Sequence, residues 1–160
     1  MRRFMAAVAA TFILASASAA MAAPLPFTTT NFSFGYDHFS GSGAKLDGGN
    51  LGLGWRFGRF VGFEFGGDYA TGRGTKFGNM YLEAQGVLPI RGGLHLFASA
   101  GGAYAGTWAG VGGSRWGTGY RVGGGVEYDL TSFWAIRGAY HYQNALAKLS
   151  NYSLGVVLKF

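Results

Sequence analysis

Bulky apolar residues alternate with small or charged ones along residues 151–160. One parity is bulky: Tyr152, Leu154, Val156, Leu158 and Phe160. The other parity is small or charged: Ser153, Gly155, Val157 and Lys159. Because successive side chains of a strand point to opposite faces, this pattern predicts a β-strand with one apolar face. A tilted strand crosses a lipid bilayer with about ten residues, so the stretch is typical of a lipid-facing strand in a transmembrane barrel.

The same alternation recurs upstream in segments that are separated by turn and loop residues. The predicted strands are 30–39, 49–58, 60–70, 78–88, 94–104, 119–128, 133–142 and 151–160. Tight turns at 58–60, 89–93 and 129–132 alternate with longer loops at 40–48, 71–77, 105–118 and 143–150. Loop 105–118 is also open to interpretation as a hairpin that extends its two strands. The pattern predicts an all-β fold, an eight-stranded antiparallel up-and-down transmembrane β-barrel with both chain ends on one side.

The two faces of the predicted strands differ strongly in volume. Large side chains such as Phe34, Leu53 and Phe65 share one face, and glycines such as Gly52 and Gly66 share the other. A soluble, lipocalin-like barrel would turn the bulky face inward, and a membrane barrel would turn it outward. Roughly thirty large side chains exceed the dozen or so that the interior of an eight-stranded barrel can hold. We therefore expect the bulky face to meet lipid.

Aromatic residues sort by height along the predicted strands. Those near the outer rim are Tyr69, Tyr104, Tyr120, Tyr142 and Tyr152. Those near the periplasmic rim are Phe57, Tyr128, Trp134 and Phe160. Aliphatic and small residues such as Val122 and Ile136 lie between the two groups. Two aromatic girdles around an aliphatic band are typical of membrane barrels.

Most charged strand residues fall on the inward face. The predicted lumen network is Asp37, Arg56, Glu64, Asp68, Glu83, Arg121, Glu127, Arg137, His141 and Lys159. Charges in so narrow a space must be paired and hydrogen-bonded, which favours a structural network of salt bridges. The alternative is a path for ions or solutes, because polar residues inside a membrane often line one. Long side chains leave little open bore in an eight-stranded barrel, which disfavours continuous conduction.

The beginning of the chain reads as a secretory signal over residues 1–22, followed by one barrel domain over 23–160. Arg2 and Arg3 precede an apolar stretch that ends in an A-x-A cleavage pattern at residues 20–22. A retained membrane helix is disfavoured because the stretch is short, rich in alanine and followed by Pro24 and Pro26. The chain has no cysteine, so the sequence predicts no disulfide and no thiolate metal site. Thirty glycines together with 17% aromatic residues favour strands with one small face over disorder.

With this signal, alternation and charged inward face, the chain resembles the OmpA/OmpX-like family of small outer-membrane barrels, which includes the opacity-type proteins. The last residues also resemble the C-terminal signal of that family, with Tyr152 and Phe160 at the positions that the barrel-assembly machinery reads. The resemblance implies a Gram-negative outer-membrane location after export through the periplasm. It implies little about activity, because the fold hosts adhesins, lipid-modifying enzymes and structural anchors.

Barrels that deacylate lipid A carry a His-x-Ser-Asn pattern on the penultimate strand. The corresponding residues here are His141, Tyr142, Gln143 and Asn144, so an amide stands in the place of the nucleophilic serine. An amide cannot form an acyl intermediate, and His141 is therefore predicted to be a hydrogen-bonding residue. His38 and His95 are isolated in the sequence, and no cluster has metal-ligand spacing. The sequence predicts no catalytic residue, no metal and no cofactor.

Basic residues dominate the predicted outer loops. They are Lys45, Arg73, Lys76, Arg115 and Lys148, against the single loop acid Asp47. Lipopolysaccharide presents phosphates at this height, where Lys and Arg donate charge-assisted hydrogen bonds, and Trp108 and Trp116 are placed to stack on sugars. Ordinary solvated charge and hairpin packing explain these residues equally well. Nucleic acid is a poor partner despite a pI near 9.8, because the compartment is wrong and the basic residues are scattered.

The sequence thus predicts a monomeric outer-membrane barrel without enzymatic activity. Its expected role is envelope structure or surface interaction, and its expected partners are outer-membrane lipid and lipopolysaccharide. A lipid-A-modifying enzyme, a narrow pore and an adhesin of the same fold remain as alternatives.

Overall fold

The barrel is closed and entirely antiparallel. The computed structural model describes residues 27–41, 43–109 and 113–160. The strands are β1 (Phe27–Gly41), β2 (Ala44–Phe57), β3 (Val61–Gly72), β4 (Thr75–Pro89), β5 (Leu94–Ala109), β6 (Gly113–Asp129), β7 (Trp134–Gln143) and β8 (Leu149–Lys159). Each strand pairs with the next one along the chain, and β8 pairs with β1. The predicted eight-stranded fold is confirmed, whereas the predicted signal at 1–22 lies outside the described residues.

The bulky face of the strands lies on the outside of the barrel, as its volume predicts. Leu51, Leu82 and Leu154 are 58%, 57% and 62% exposed. The inward face has no room for more atoms at its glycines. A Cβ atom on Gly66 would lie 2.4 Å from the ring of Tyr81. Glycine inside and bulk outside is therefore the only arrangement that the interior volume permits.

The two ends of the barrel differ. We call the end that carries the start of β1 and the end of β8 proximal, and the opposite end distal. The proximal connections are the short turns at 58–60, 90–93 and 130–133. The distal end carries the β1–β2, β3–β4 and β5–β6 hairpins and a five-residue loop at 144–148. Its rim is uneven, because β5 and β6 have 16 and 17 residues, whereas β7 and β8 have 10 and 11.

Three of the four predicted distal loops are paired strands instead, which corrects the sequence-based boundaries. Pairing continues to Gly41↔Ala44, Gly72↔Thr75 and Ala109↔Gly113. Residues 40–48, 71–77 and 105–118 read as loops because they are rich in glycine and polar residues. Their backbone groups pair across each hairpin, and this supplies the hydrogen bonds that a loop would take from water. Residues 105–109 and 113–118 pair as the hairpin that is the second interpretation of this segment.

The β3–β4 turn shows how tightly these hairpins close. Arg73 and Gly74 are its two central residues, with φ angles of 48° and 78°. Two positive φ values in a two-residue turn define type I′, whose twist matches that of the flanking strands. Gly74 adopts this conformation freely, whereas a side chain as large as that of Arg73 rarely does.

An apolar cluster fills the distal interior of the barrel, and we call it the distal plug. Its buried residues are Phe39, Leu46, Ala70, Phe77, Tyr81, Ala103, Ala105, Ala145 and Leu149. The rings of Phe39 and Phe77 pack with centroids 5.0 Å apart and are almost completely buried. The sequence analysis did not predict this cluster, since its residues fall largely in segments that read as loops. Among the described residues, no helix is long and apolar enough to cross a membrane.

Candidate functional site

The interior below the distal plug is polar and densely charged. Eight of the ten residues of the predicted lumen network are buried there, and Arg56 and Lys159 are nearly so. Asp37 and Glu127 are fully inaccessible, and the side chains of Arg56 and Lys159 are only 13% and 11% exposed. The strict alternation of each strand places these charges inside. Their ion pairs divide into two networks.

The proximal network is centred on Glu127. Arg56 Nη2 donates to both carboxylate oxygens at 2.8 and 2.9 Å. Arg137 donates from Nε at 3.1 Å and from Nη2 at 2.9 Å, and Lys159 Nζ lies 2.8 Å away. Three cations thus surround one buried carboxylate, whose lone pairs are fully used.

Two further acids complete the proximal network. Arg137 Nη1 also donates to Glu64, whose carboxylate accepts from Gln85 at 3.2 Å. Lys159 donates to Asp129, which lies 3.0 Å from the Nε2 atom of His95. The network therefore contains three carboxylates and three permanent cations, and its charges balance.

The distal network is centred on Arg121. Its guanidinium lies 2.6 Å from Asp68 and 2.9 Å from Glu83 and stacks 3.9 Å from the centroid of the Tyr81 ring. His141 Nε2 lies 3.5 Å from the second oxygen of Glu83. A cavity of about 30 Å³ borders Arg121 and His141, which is room for one or two waters. Side chains therefore fill the bore almost completely.

The predicted girdle residues lie on the outside of the barrel. Tyr69, Tyr104, Tyr120, Tyr128, Trp134 and Tyr152 are each about half exposed, and Phe160 is 73% exposed. Tyr142 is half-buried against Tyr120, and Phe57 packs on Phe63. The sequence analysis missed Tyr140, which is 41% exposed and packs on Tyr152 with centroids 5.1 Å apart.

An aromatic stack occupies the outer side of the β5–β6 hairpin. Tyr104 and Trp116 stack with centroids 5.3 Å apart and an interplanar angle of 14°. Trp108 meets Trp116 edge to face at 4.8 Å. The two indoles lie over neighbouring glycines, since a Cβ atom on Gly106 would come within 2.5 Å of the Trp116 ring. We call Tyr104, Trp108 and Trp116 the distal aromatic face.

The five predicted outer basic residues are all exposed but do not form one cluster. Lys76 is the cross-strand partner of Trp108, and Arg73 lies in the adjacent turn. Arg115 neighbours Trp116 but, by strand alternation, projects from the opposite face. Lys45 lies on β2 and Lys148 in the loop at 144–148, away from this hairpin. Among the five, Lys76 is thus the basic residue that strand register places beside the distal aromatic face and on the same side.

Two histidines that are isolated along the sequence contact acidic residues on neighbouring strands in the folded barrel. His95 contacts Asp129, as described above, and His38 Nδ1 lies 2.7 Å from Asp47. Asp47 also accepts a hydrogen bond from Tyr36. It lies on the distal part of β2, beyond the cross-strand partner of girdle residue Tyr69. The hydrogen bonds with His38 and Tyr36 hold the pKa of Asp47 below its ordinary value.

The residues that correspond to the deacylase pattern point into the barrel. His141 contacts Glu83, and Gln143 is 1% exposed and accepts a hydrogen bond from Asn79 at 3.1 Å. An enzyme that cleaves a lipid ester needs its nucleophile and base where the lipid can reach them. This stretch lies behind the barrel wall and offers no such access. Among the described residues, no group of three or more His, Asp or Glu is arranged to hold a metal.

Comparisons with known proteins agree with this architecture. Residues 5–160 match the family described as outer membrane protein beta-barrel domain. No curated protein matches the chain.

Several solved barrels are similar in structure. Ail, the attachment invasion locus protein of Yersinia pestis, is 20% identical, with a TM-score of 0.60 over 82% of this chain and 98% of that one. The N-terminal barrel of Pseudomonas aeruginosa OprF is 21% identical, with a TM-score of 0.65 over 82% and 96%. Neisserial surface protein A is 18% identical, with a TM-score of 0.64 over 82% and 96%. At these identities the likeness shows the fold alone.

Proposed function

We propose that this chain, which belongs to the outer membrane protein beta-barrel family, is a non-enzymatic barrel that presents a saccharide-binding surface outside the cell. Barrels of this class turn their short connections toward the periplasm and their longer ones outward. The proximal turns are short, and the β5–β6 hairpin rises beyond the outer tyrosines at the distal end. The distal end is therefore assigned to the exterior, where lipopolysaccharide is the surrounding lipid.

The observation that carries the proposal is the distal aromatic face. Tyr104 belongs to the girdle, whereas Trp108 and Trp116 stand on the part of the β5–β6 hairpin that continues beyond it. These two indoles are therefore not needed as interfacial anchors. Trp116 remains 49% exposed although it contacts two other aromatic rings. Flat, preorganised rings with little rotamer freedom are suited to binding the apolar faces of sugars at low entropic cost.

Charge at the distal end favours an anionic saccharide. Five exposed basic residues face one exposed acid, and that acid, Asp47, is already paired with His38. Lys76 lies beside Trp108 in the sheet and would donate a charge-assisted hydrogen bond to a phosphate on a bound sugar. The inner sugars and phosphates of lipopolysaccharide combine both features.

The test is titration of the purified barrel in micelles with the delipidated core oligosaccharide of lipopolysaccharide, followed by tryptophan fluorescence. Trp116→Ala should weaken binding by about tenfold or more, because losing an anchoring tryptophan costs about 2 kcal/mol. Lys76→Ala should weaken it less and should flatten its dependence on salt.

Trp134→Ala is the matched control, since Trp134 is a similarly exposed tryptophan at the opposite end of the barrel. It should leave the affinity unchanged. Equal losses in both tryptophan variants, or no binding by the parent protein, would refute the saccharide proposal.

A second candidate, an adhesin for polyanionic saccharides of another cell, is favoured by the same positive end. One structure of Ail is a complex with the heparin analogue sucrose octasulfate, although its 19% identity with this chain transfers no site. Retention of the barrel on immobilised heparin would support this candidate. Elution at low salt, unchanged when Lys45 and Lys148 are replaced by alanine, would remove it.

Export, assembly and oligomeric state form part of the proposal. We assign residues 1–22 to a cleaved signal and Tyr152 and Phe160 to recognition by the barrel-assembly machinery. Both aromatic side chains lie on the outer face of the barrel, where an assembly factor would reach them during insertion. A monomer is expected. Replacing Phe160 with Ala should reduce the amount of barrel in outer-membrane fractions without changing the stability of barrel refolded in micelles.

A further inference from the structure

The two ionic networks inside the barrel differ in their charge balance. The proximal network holds three acids and three permanent cations. The distal network contains Asp37, Asp68 and Glu83 as acids and Arg121 as its one permanent cation among the described residues. His141 adds at most one further charge, through its contact with Glu83. The distal network therefore lacks one or two positive charges.

The deficit is concentrated at Asp37. This carboxylate is completely buried, and no described ion pair joins it to a cation. One oxygen accepts a hydrogen bond from Asn50 at 2.8 Å, whereas its Oδ2 atom has no hydrogen-bond partner. Burying a charged carboxylate without a cation is strongly unfavourable, because the ion loses its hydration and gains no counter-charge.

Three other oxygens of the same layer also lack partners. They are Asp68 Oδ1, Asn79 Oδ1 and Asn151 Oδ1, in residues that are 4%, 4% and 0% exposed, and one donor, Asn151 Nδ2, also lacks a partner. Cross-strand pairing places Asn50 opposite Asp68, and Asp68 opposite Asn79. We call Asp37, Asn50, Asp68, Asn79 and Asn151 the distal oxygen layer.

The distal plug covers this layer directly. Phe39, Ala70 and Leu149 each lie two residues nearer the distal end of their strands than Asp37, Asp68 and Asn151. The layer is therefore closed toward the distal end and bordered on its other side by Arg121.

Water alone does not resolve the arrangement. Water molecules would satisfy lone pairs but would supply no positive charge. A proton on Asp37 would remove one charge and fill one of the four orphaned acceptors. A hard cation would supply the missing positive charge and also bind the unpartnered oxygens. Ca²⁺ binds carboxylate and amide oxygens and accepts several of them in irregular geometry.

We propose that the distal oxygen layer is a binding site for one divalent cation of the Ca²⁺ type. Asp37 and Asp68 would supply the carboxylate ligands, and Asn79 and Asn151 would supply amide oxygens. Because the distal plug closes the site, the ion enters as the barrel folds and stabilises the finished barrel.

The test begins with refolding of urea-unfolded protein into detergent micelles, with millimolar CaCl₂ or with EDTA, at neutral pH and equal ionic strength. Ca²⁺ should raise the unfolding temperature by several degrees, because a ligand that binds only the folded state stabilises it. Exhaustively dialysed protein should retain one Ca²⁺ per chain by atomic absorption. Failure of both measurements would overturn the proposal in favour of protonated carboxylates.

Asp37→Asn removes the unpaired charge and keeps the shape of the side chain. It should abolish the Ca²⁺-dependent shift and raise the unfolding temperature measured in EDTA. Asp47→Asn, at the exposed acid outside the barrel, is the control and should keep the full shift. A shift that survives Asp37→Asn would place the ion elsewhere and would also overturn the proposal. If that variant does not refold, the test is the Ca²⁺ content of the dialysed parent protein: one ion per chain supports the proposal, and none overturns it.

Discussion

At the scale of single residues, Glu127 is the centre of the proximal network. It is fully buried and contacts Arg56, Arg137 and Lys159, which come from three different strands. Removing a carboxylate that balances several cations lowers stability by more than the loss of its own contacts. Its removal leaves those cations buried without a counter-charge.

Glu127→Gln should therefore be strongly destabilising. We expect a loss of about 3–5 kcal/mol in the free energy of unfolding, the cost of breaking a buried ion pair from one side. Urea-induced unfolding in lipid vesicles measures it. Asp129→Asn, at a carboxylate that is 29% exposed, should cost clearly less. Similar losses in the two variants would mean that Glu127 is not the centre of the network.

At this scale, the sequence predicts on which face of a strand a residue lies, but it does not predict that residue's partners. Alternation alone placed Asp68 and Arg121 on the inward face, because parity within a strand is a local property. That these two residues pair could not be read from the sequence, since they are 53 residues apart and meet only across the closed barrel. The acidic partners of His38 and His95 were missed for the same reason: they depend on strand register.

At the scale of elements, the sequence identified all eight strands but ended the distal hairpins too early. Glycine and polar residues around Phe77 resemble a loop sequence when read alone. Pairing to the tip of the β3–β4 hairpin turns Phe77 inward, where it packs on Phe39 in the distal plug. An apolar core like that of a soluble protein thus lies inside the distal part of the barrel. Composition alone gives no signal for it.

The distal plug should contribute to stability as a core of a soluble protein does. Phe77→Ala should lower the free energy of unfolding by about 3–5 kcal/mol, because a large cavity replaces a buried ring. Phe65→Ala is the matched control on the lipid-facing side, where Phe65 is 45% exposed and detergent or lipid fills the space. It should cost markedly less. Equal costs would show that the plug is loosely packed.

At the scale of the whole molecule, the barrel is sealed in two different ways. Apolar packing closes the distal end, and ion pairs across the bore close the middle. The cavity beside Arg121 and His141 is about 30 Å³, room for one or two waters, and ion pairs span the bore around it. The narrow-pore alternative therefore receives no support from the interior.

Purified protein should accordingly give no discrete conductance steps in a planar lipid bilayer. The preparation must first be shown to be folded, by faster migration of the unboiled than of the boiled sample on a denaturing gel. Reproducible conductance steps from folded protein would contradict a closed bore and would support the narrow-pore alternative. A variant that combines Phe39→Ala with Phe77→Ala tests whether the distal plug is one of the two barriers.

The unequal strand lengths give the barrel a direction within the plane of the membrane. The first eight residues of β6, 113–120, extend past its last pairing with β7, at Arg121↔Gln143. With the distal end outside, as proposed, a large external molecule would meet the long β6 strand first, whereas lipids beside β7 and β8 would meet shorter strands. Rotation of the barrel about the membrane normal therefore changes which neighbours it touches.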